Sequence, residues 1–205
     1  MADNYRIARD RAREYFLSVG LPRLFLRPGI TAEGENLRFT FLGAETTVSK
    51  ETGLITFAYP GKEPWEADFS EALSVYDWLC DAKPGAFPAG VYCPINSLPG
   101  LVLGGNGNLK MDGGKLNGLA DRNPEGYRKA CEALGATPCD AGDIGYKLNV
   151  FPDLAVILKF YHSDEDFPAQ LTILWDRNTL DFVKYETSYY IAGVMLSRIR
   201  EKMGN

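Results

Sequence analysis

Residues 149–176 read NVFPDLAVILKFYHSDEDFPAQLTILWD, and they constrain the fold more than any other stretch of the chain. An unbroken apolar run at 154–160 leads to an acidic tip, His162-Ser163-Asp164-Glu165-Asp166. The chain then turns through Phe167-Pro168 into a second run at 169–175 that ends on Asp176. Two runs rich in β-branched and aromatic residues, divided by a short charged segment, predict a β-hairpin with strands 154–161 and 169–175. Side chains alternate along a strand, so Ala155, Ile157, Lys159 and Tyr161 share one face while Leu154, Val156, Leu158, Phe160 and His162 share the other. On the partner strand Gln170, Thr172, Leu174 and Asp176 alternate with Ala169, Leu171, Ile173 and Trp175. Lys159 is expected on the less apolar face, with Gln170 and Thr172, where its charge reaches the sheet edge or a carboxylate, because an unpaired buried charge is costly.

The rest of the chain can be placed as a covering for this hairpin. Residues 3–19 have the periodicity of an amphipathic helix, with Tyr5, Ala8, Ala12, Tyr15, Phe16 and Val19 inward and the arginines on the other, solvated face. Gly20 and Pro22 stop it. Residues 37–41 alternate as a half-buried strand. Residues 46–49 and 54–59 flank Lys50-Glu51-Thr52-Gly53 as a second hairpin. A helix follows from Asp68, which stands at capping-box spacing from Glu71, and its apolar stripe takes Cys80 into the core. Residues 83–118 are rich in Gly and Pro and predict a loop region, with short strands possible at 91–93 and 101–103. Its glycine run fails as a phosphate loop, since Leu116 follows Lys115 where the pattern needs Ser or Thr. Asn123-Pro124 caps a short helix burying Tyr127, Ala130, Cys131 and Leu134. Residues 146–150 form a further strand, Asn178 caps a turn through 179–182, and a last helix runs from about Glu186 to Lys202.

These elements predict an α+β fold: a mainly antiparallel sheet, with hairpin 154–161/169–175 at its centre, packed against N-terminal, middle and C-terminal helices. The length of 205 residues suits one domain over 1–205. A net charge of −5 argues against nucleic acid as a partner. No window resembles a signal peptide or a membrane span. Cys80, Cys93, Cys131 and Cys139 contain no C-x-x-C pair, and reduced thiols in a cytoplasmic protein are the expectation.

The tip sets three consecutive acids beside the only histidine of the chain. Carboxylates with an imidazole can hold a divalent cation or move protons, which makes His162, Asp164, Glu165 and Asp176 the catalytic candidates. Extended acids alternate in direction, so a solvated turn with capping or arginine-pairing duties is the structural alternative. In it Glu165 meets an N-terminal arginine and Asp176 accepts from the 177–179 backbone. Lys159, Asp166, Trp175 and Glu186 are the candidate ligand-binding residues. No metal site is assigned. Ser163 beside His162 lacks the G-x-S-x-G elbow of a nucleophile, and Cys93 has no neighbour in sequence to lower its pKa.

At 151–200 the chain resembles a family catalogued as domain of unknown function 3786, found largely in anaerobic bacteria and archaea. The resemblance rests on the apolar strand 154–160, on Asp164-Glu165-Asp166-Phe167-Pro168-Ala169, on Trp175-Asp176 and on Glu186 opening the last helix. Tyr76-Asp77-Trp78-Leu79, Leu98-Pro99-Gly100, Ala133-Leu134-Gly135 and Gly142-Asp143 extend it over most of the chain. Some relatives carry a cysteine-rich iron–sulfur segment; this chain has no such cysteine motif, and no cofactor follows.

The readings left open are three. The first is a small-molecule-binding or accessory domain of anaerobic metabolism, using a groove between sheet, loop 83–118 and acidic tip. The second is a metal-assisted or acid–base hydrolase built on His162, Asp164, Glu165 and Asp176. The third is a protein–protein adaptor with an apolar patch around Phe25, Trp65 or Phe87.

Overall fold

A computed structural model describes residues 2–19, 27–101 and 113–204. The fold is α+β, and among the described residues it has five α-helices and antiparallel strands divided between two five-stranded sheets.

The first sheet is a meander of β1 (Thr31–Glu33), β2 (Asn36–Phe41), β3 (Ala44–Ser49), β4 (Ile55–Ala58) and β5 (Trp65–Glu66), paired in chain order. Along β2 the pattern is strict: Leu37, Phe39 and Phe41 are buried and Arg38 and Thr40 exposed. Phe41 pairs with Ala44 across a two-residue turn, Leu42-Gly43, in which both residues have positive φ, 47° and 75°. That is the twist a right-handed hairpin prefers, although it is strained for leucine. The Leu42 amide donates to Val150 O at 3.0 Å, so the strained turn also joins the two sheets.

The second sheet has the order β6-β10-β9-β8-β7, with β6 (Tyr92–Pro94), β7 (Thr137–Pro138), β8 (Ile144–Phe151), β9 (Leu154–Tyr161) and β10 (Gln170–Asp176). The expected hairpin is its centre: Tyr161 faces Gln170, Lys159 faces Thr172 and Ile157 faces Leu174. Lys159 therefore lies on the less apolar face. Its ammonium stands 4.8 Å over the Tyr161 ring, where the ring's negative face receives it, and among the described residues it makes no ion pair with a carboxylate. The opposite face, carrying Leu158, Phe160, Leu171, Ile173 and Trp175, is buried.

Five helices pack around the sheets: α1 (Ala2–Ser18), α2 (Phe69–Cys80), α3 (Lys115–Arg122), α4 (Pro124–Ala133) and α5 (Tyr185–Met203). Asp68 and Glu71 form a complete capping box at the start of α2. Asn123 caps α4 by accepting from Gly126 N, with Pro124 in the first turn. Tyr127 of α4 lies 5.6 Å from Phe160 between ring centroids and edge-on to Tyr146. Lys184 ties α2 to α5 by donating to Asp77 and Asp81. At the junction of the sheets Phe151 stacks on Trp78 at 4.5 Å and on Phe41 at 4.9 Å. Beside it Arg27 forks onto Asp153, whose other oxygen accepts from Trp78 Nε1.

Three local expectations are corrected. Tyr5 and Tyr15 are exposed rather than inward, while the Arg13 stem turns in against Gly53, because α1 rests on α2 through the narrower Ala8–Ala12–Phe16–Val19 stripe. Helix α3 opens at Lys115, inside what reads as loop; an acceptor on its first turn, Asn117 Oδ1, takes the Leu171 amide. Asn178 makes no side-chain cap and instead donates to Phe87 O. The short strand expected at 91–93 forms, at 92–94. The glycine run 104–108, the strand suggested at 101–103 beyond Leu101, and Phe25 lie outside the described residues.

Candidate functional site

The acidic tip is a self-contained turn. Asp164 Oδ1 accepts from the amides of Asp166 and Phe167, and the Asp164 amide donates to Phe167 O. Asp164 is thereby used up in shaping the loop. Glu165 and Asp166 point outward, and among the described residues neither side chain makes an ion pair or hydrogen bond, so the expected pairing of Glu165 with an N-terminal arginine is not formed there. Among the described residues no group of three or more His, Cys, Asp or Glu side chains could hold a metal ion.

His162 does find a carboxylate, though not one of those neighbours. Its Nδ1 lies 2.9 Å from Oδ1 of Asp121, in the last turn of α3, and its ring meets Phe160 edge-on. Ser163 Oγ donates to Asp121 Oδ2 at 2.6 Å. The Ser163 and His162 hydrogen bonds, in that order, hold the Asp121 carboxyl below its ordinary pKa. Asp121 orients the imidazole as a base needs, but Ser163 bonds to the carboxylate and so is not lined up as a nucleophile.

The remaining sequence candidates are dispersed. Asp176 is fully buried at the far end of β10, six residues and about 20 Å from Gln170 at the tip. It accepts from the amides of Ala89, Gly90 and, as expected, Asn178. This is a loop anchor, and it cannot act together with His162. Trp175 is buried beneath the helices with its Nε1 unpartnered among the described residues. Glu186 is exposed in the first turn of α5, where a negative charge suits the helix dipole.

A well-formed cavity lies elsewhere, between the β4–β5 edge of the first sheet, the start of α2 and the last turns of α5. Its volume is about 410 Å³, within the range of small-molecule sites. Helix α5 presents Val194, Arg198 and Lys202 to it at steps of four, with Ser197 and Glu201 alongside; Tyr59, Trp65 and Glu66 form the opposite wall. Sequence reasoning named none of these as site residues except Trp65, which it placed in an adaptor patch.

Arg198 organises this wall. It is buried, and its Nη2 donates to Glu71 Oε1 at 2.7 Å while Nη1 donates to Phe41 O at 2.9 Å and Leu42 O at 3.3 Å. The guanidinium also stands 5.1 Å from the Phe41 and Phe57 ring centroids and 5.5 Å from that of Trp65. Glu71 is therefore shared among Arg198, the Asp68 amide and the Trp65 indole N–H. Lys202 sits 3.9 Å over the Tyr59 ring, and among the described residues no carboxylate lies within ion-pair distance of it. Burial first, then the positive charges of Arg198 and Lys62, push its pKa down. The Tyr59 hydroxyl is buried with no acceptor for its proton among the described residues; burial raises its pKa, against the opposing effect of the neighbouring Arg198 guanidinium.

The fold and this cavity define an α+β protein of two antiparallel sheets with an aromatic and cationic recess at the C-terminal helix. Among the described residues no helix is long and apolar enough to cross a membrane. The family model described as domain of unknown function DUF3786 matches residues 21–198, and the chain belongs to that family. Comparison with curated proteins and with solved structures gives no match.

Proposed function

We propose that this protein is a small-molecule-binding domain, that residues 1–205 act as one unit, and that the ligand occupies the cavity between α5 and the β4–β5 edge. The observation that carries the reading is a recess of about 410 Å³ whose wall contains a buried hydroxyl with no acceptor for its proton among the described residues. A buried polar group without a hydrogen bond costs free energy, about 1–3 kcal/mol, and a ligand that supplies the bond recovers it. The wall is also preorganised: Arg198 and Glu71 lock one another, so little ordering accompanies binding. An accessory role in anaerobic metabolism is what the resemblance to that family implies, and it belongs to the same proposal.

A library of small metabolites screened by thermal shift tests this. A ligand at 100 times its Kd raises stability by about 2.7 kcal/mol. The gain should vanish in Val194→Trp, which fills the recess, while that variant keeps its native circular dichroism. A ligand whose stabilisation survives Val194→Trp would place binding elsewhere.

Acid–base hydrolysis at the hairpin tip is the second reading, favoured by the 2.9 Å contact that orients His162 on Asp121. It requires ester or amide hydrolysis by the purified protein that falls at least a hundredfold in His162→Ala. Activity unchanged in that variant would remove it.

A further inference from the structure

Resting on the cavity just proposed as the ligand site, we infer that its ligand is a small organic acid, with the carboxylate between Lys202 Nζ and the Tyr59 hydroxyl and the apolar body against Trp65 and Val194. The charges facing the recess are Glu66, Asp68, Glu71 and Glu201 against Arg198 and Lys202, with Lys62 close to Lys202. Counting them gives an acidic site, but the charges are unevenly placed and unevenly paired. Glu71 is held by Arg198 at 2.7 Å, Asp68 accepts from the Glu71 amide at 2.8 Å, and Glu201 accepts from Ser197 Oγ at 3.0 Å. Only Glu66 is without such a bond among the described residues, and it is exposed at the rim. Of the cations, Arg198 is engaged by Glu71 and by two carbonyls, whereas Lys202 has no carboxylate in reach among the described residues. Neutral donors leave Asp68 and Glu201 charged, so the recess as a whole stays acidic; the cation without an ion-pair partner is Lys202, where the charges of Arg198 and Lys62 act more strongly than that of Glu201.

An amine ligand meets the opposite situation. The aromatic faces that would hold its cation are already occupied, Tyr59 by Lys202 at 3.9 Å and Trp65 by Arg198 at 5.5 Å. A carboxylate answers both vacant demands together: one oxygen accepts from the ammonium and the other from the tyrosine O–H, in charge-assisted hydrogen bonds. At about 30 Å³ per heavy atom, the volume admits roughly a dozen heavy atoms.

Isothermal titration of the intact protein with three probes of matched shape, 3-phenylpropionate, 3-phenylpropanamide and 3-phenylpropylamine, tests the inference. The acid is expected to bind at least tenfold more tightly than the amide, with no measurable heat from the amine. Lys202→Met should lower acid affinity at least tenfold while leaving the thermal midpoint of the free protein unchanged, and Tyr59→Phe should lower it several-fold. Amide or amine binding as tight as the acid, abolished by Val194→Trp, would overturn the acid class and leave the cavity reading standing. Acid binding unaffected by Lys202→Met would overturn the placement of the carboxylate. No binding of any probe, together with no metabolite hit sensitive to Val194→Trp, would overturn both.

Discussion

Arg198 is the residue on which the first sheet, α2 and α5 converge. A guanidinium with a side chain only 6% exposed would be costly without partners, and it has them in the Glu71 carboxylate, the carbonyls of the strained Leu42 turn and three aromatic faces. Removing one member of a buried pair strands the other, so Arg198→Met is expected to cost about 3–5 kcal/mol in urea unfolding. The double variant Arg198→Met, Glu71→Met removes both charges and should recover a large part of that loss. A double variant no more stable than the single one would show that the turn carbonyls, rather than Glu71, carry the effect. Asp121 provides a residue-scale test in pH. Its folded pKa is depressed, so its contribution is complete above the unfolded carboxylate value near 4 and fades as pH falls through the lower folded one. The stability difference between the wild type and Asp121→Asn should therefore be largest near neutrality and shrink in acid, as read from urea midpoints at pH 6, 4 and 3.

At the scale of elements, β10 does more than complete the hairpin. Its C-terminal residue Asp176 gathers the Ala89 and Gly90 amides, pinning the segment before β6 to the sheet. In Asp176→Ala those amides lose their acceptor, and hydrogen exchange at Ala89 and Gly90 should accelerate by an order of magnitude or more while exchange in β8 and β9 is unchanged. Acceleration spread through β9 would mean that Asp176 holds the whole sheet. The hairpin itself was legible because its signals are local: alternation, β-branched runs and a polar tip in consecutive residues. The capping boundaries of α2 and α4 were legible for the same reason. Helix α3 was not, since it is eight residues long, carries Gly118 in its interior and follows a glycine-rich run, so its helix signal is weak. Alternation also tells which face of a strand is buried and not which strand lies beside it, so the division into two sheets had no sequence signature. The same limit hid the cavity and the partner of His162. Arg198 meets Glu71 across 127 residues and His162 meets Asp121 across 41, contacts that exist only once the helices have docked.

The two sheets share their most buried contacts, and this bears on how the molecule unfolds. Buried apolar residues form one continuous cluster from Phe16 on α1 through Phe39, Trp78 and Phe151 to Trp175 and Ile199. Within it Tyr76, on α2 against the first sheet, donates to Gly53 O at 2.7 Å, and Cys131, on α4, is covered against the second. Burial pushes both groups up to about 12, from ordinary values of 10.0 and 9.0. A raised folded pKa on a group that ionises to an anion means that the unfolded chain releases its proton first. Each group thus contributes stability that is complete below its unfolded value and is lost as pH rises toward the folded one. The urea midpoint should fall steadily between pH 9 and 11, and Tyr76→Phe should make that fall shallower. If the shared cluster makes the chain one cooperative unit, tryptophan fluorescence and far-ultraviolet circular dichroism will trace the same transition at each pH, and Tyr76→Phe will move both alike. Two separated transitions, only one of them shifted by Tyr76→Phe, would instead show that each sheet with its helices unfolds independently, and that Phe151 and Trp78 join two units rather than close a single core.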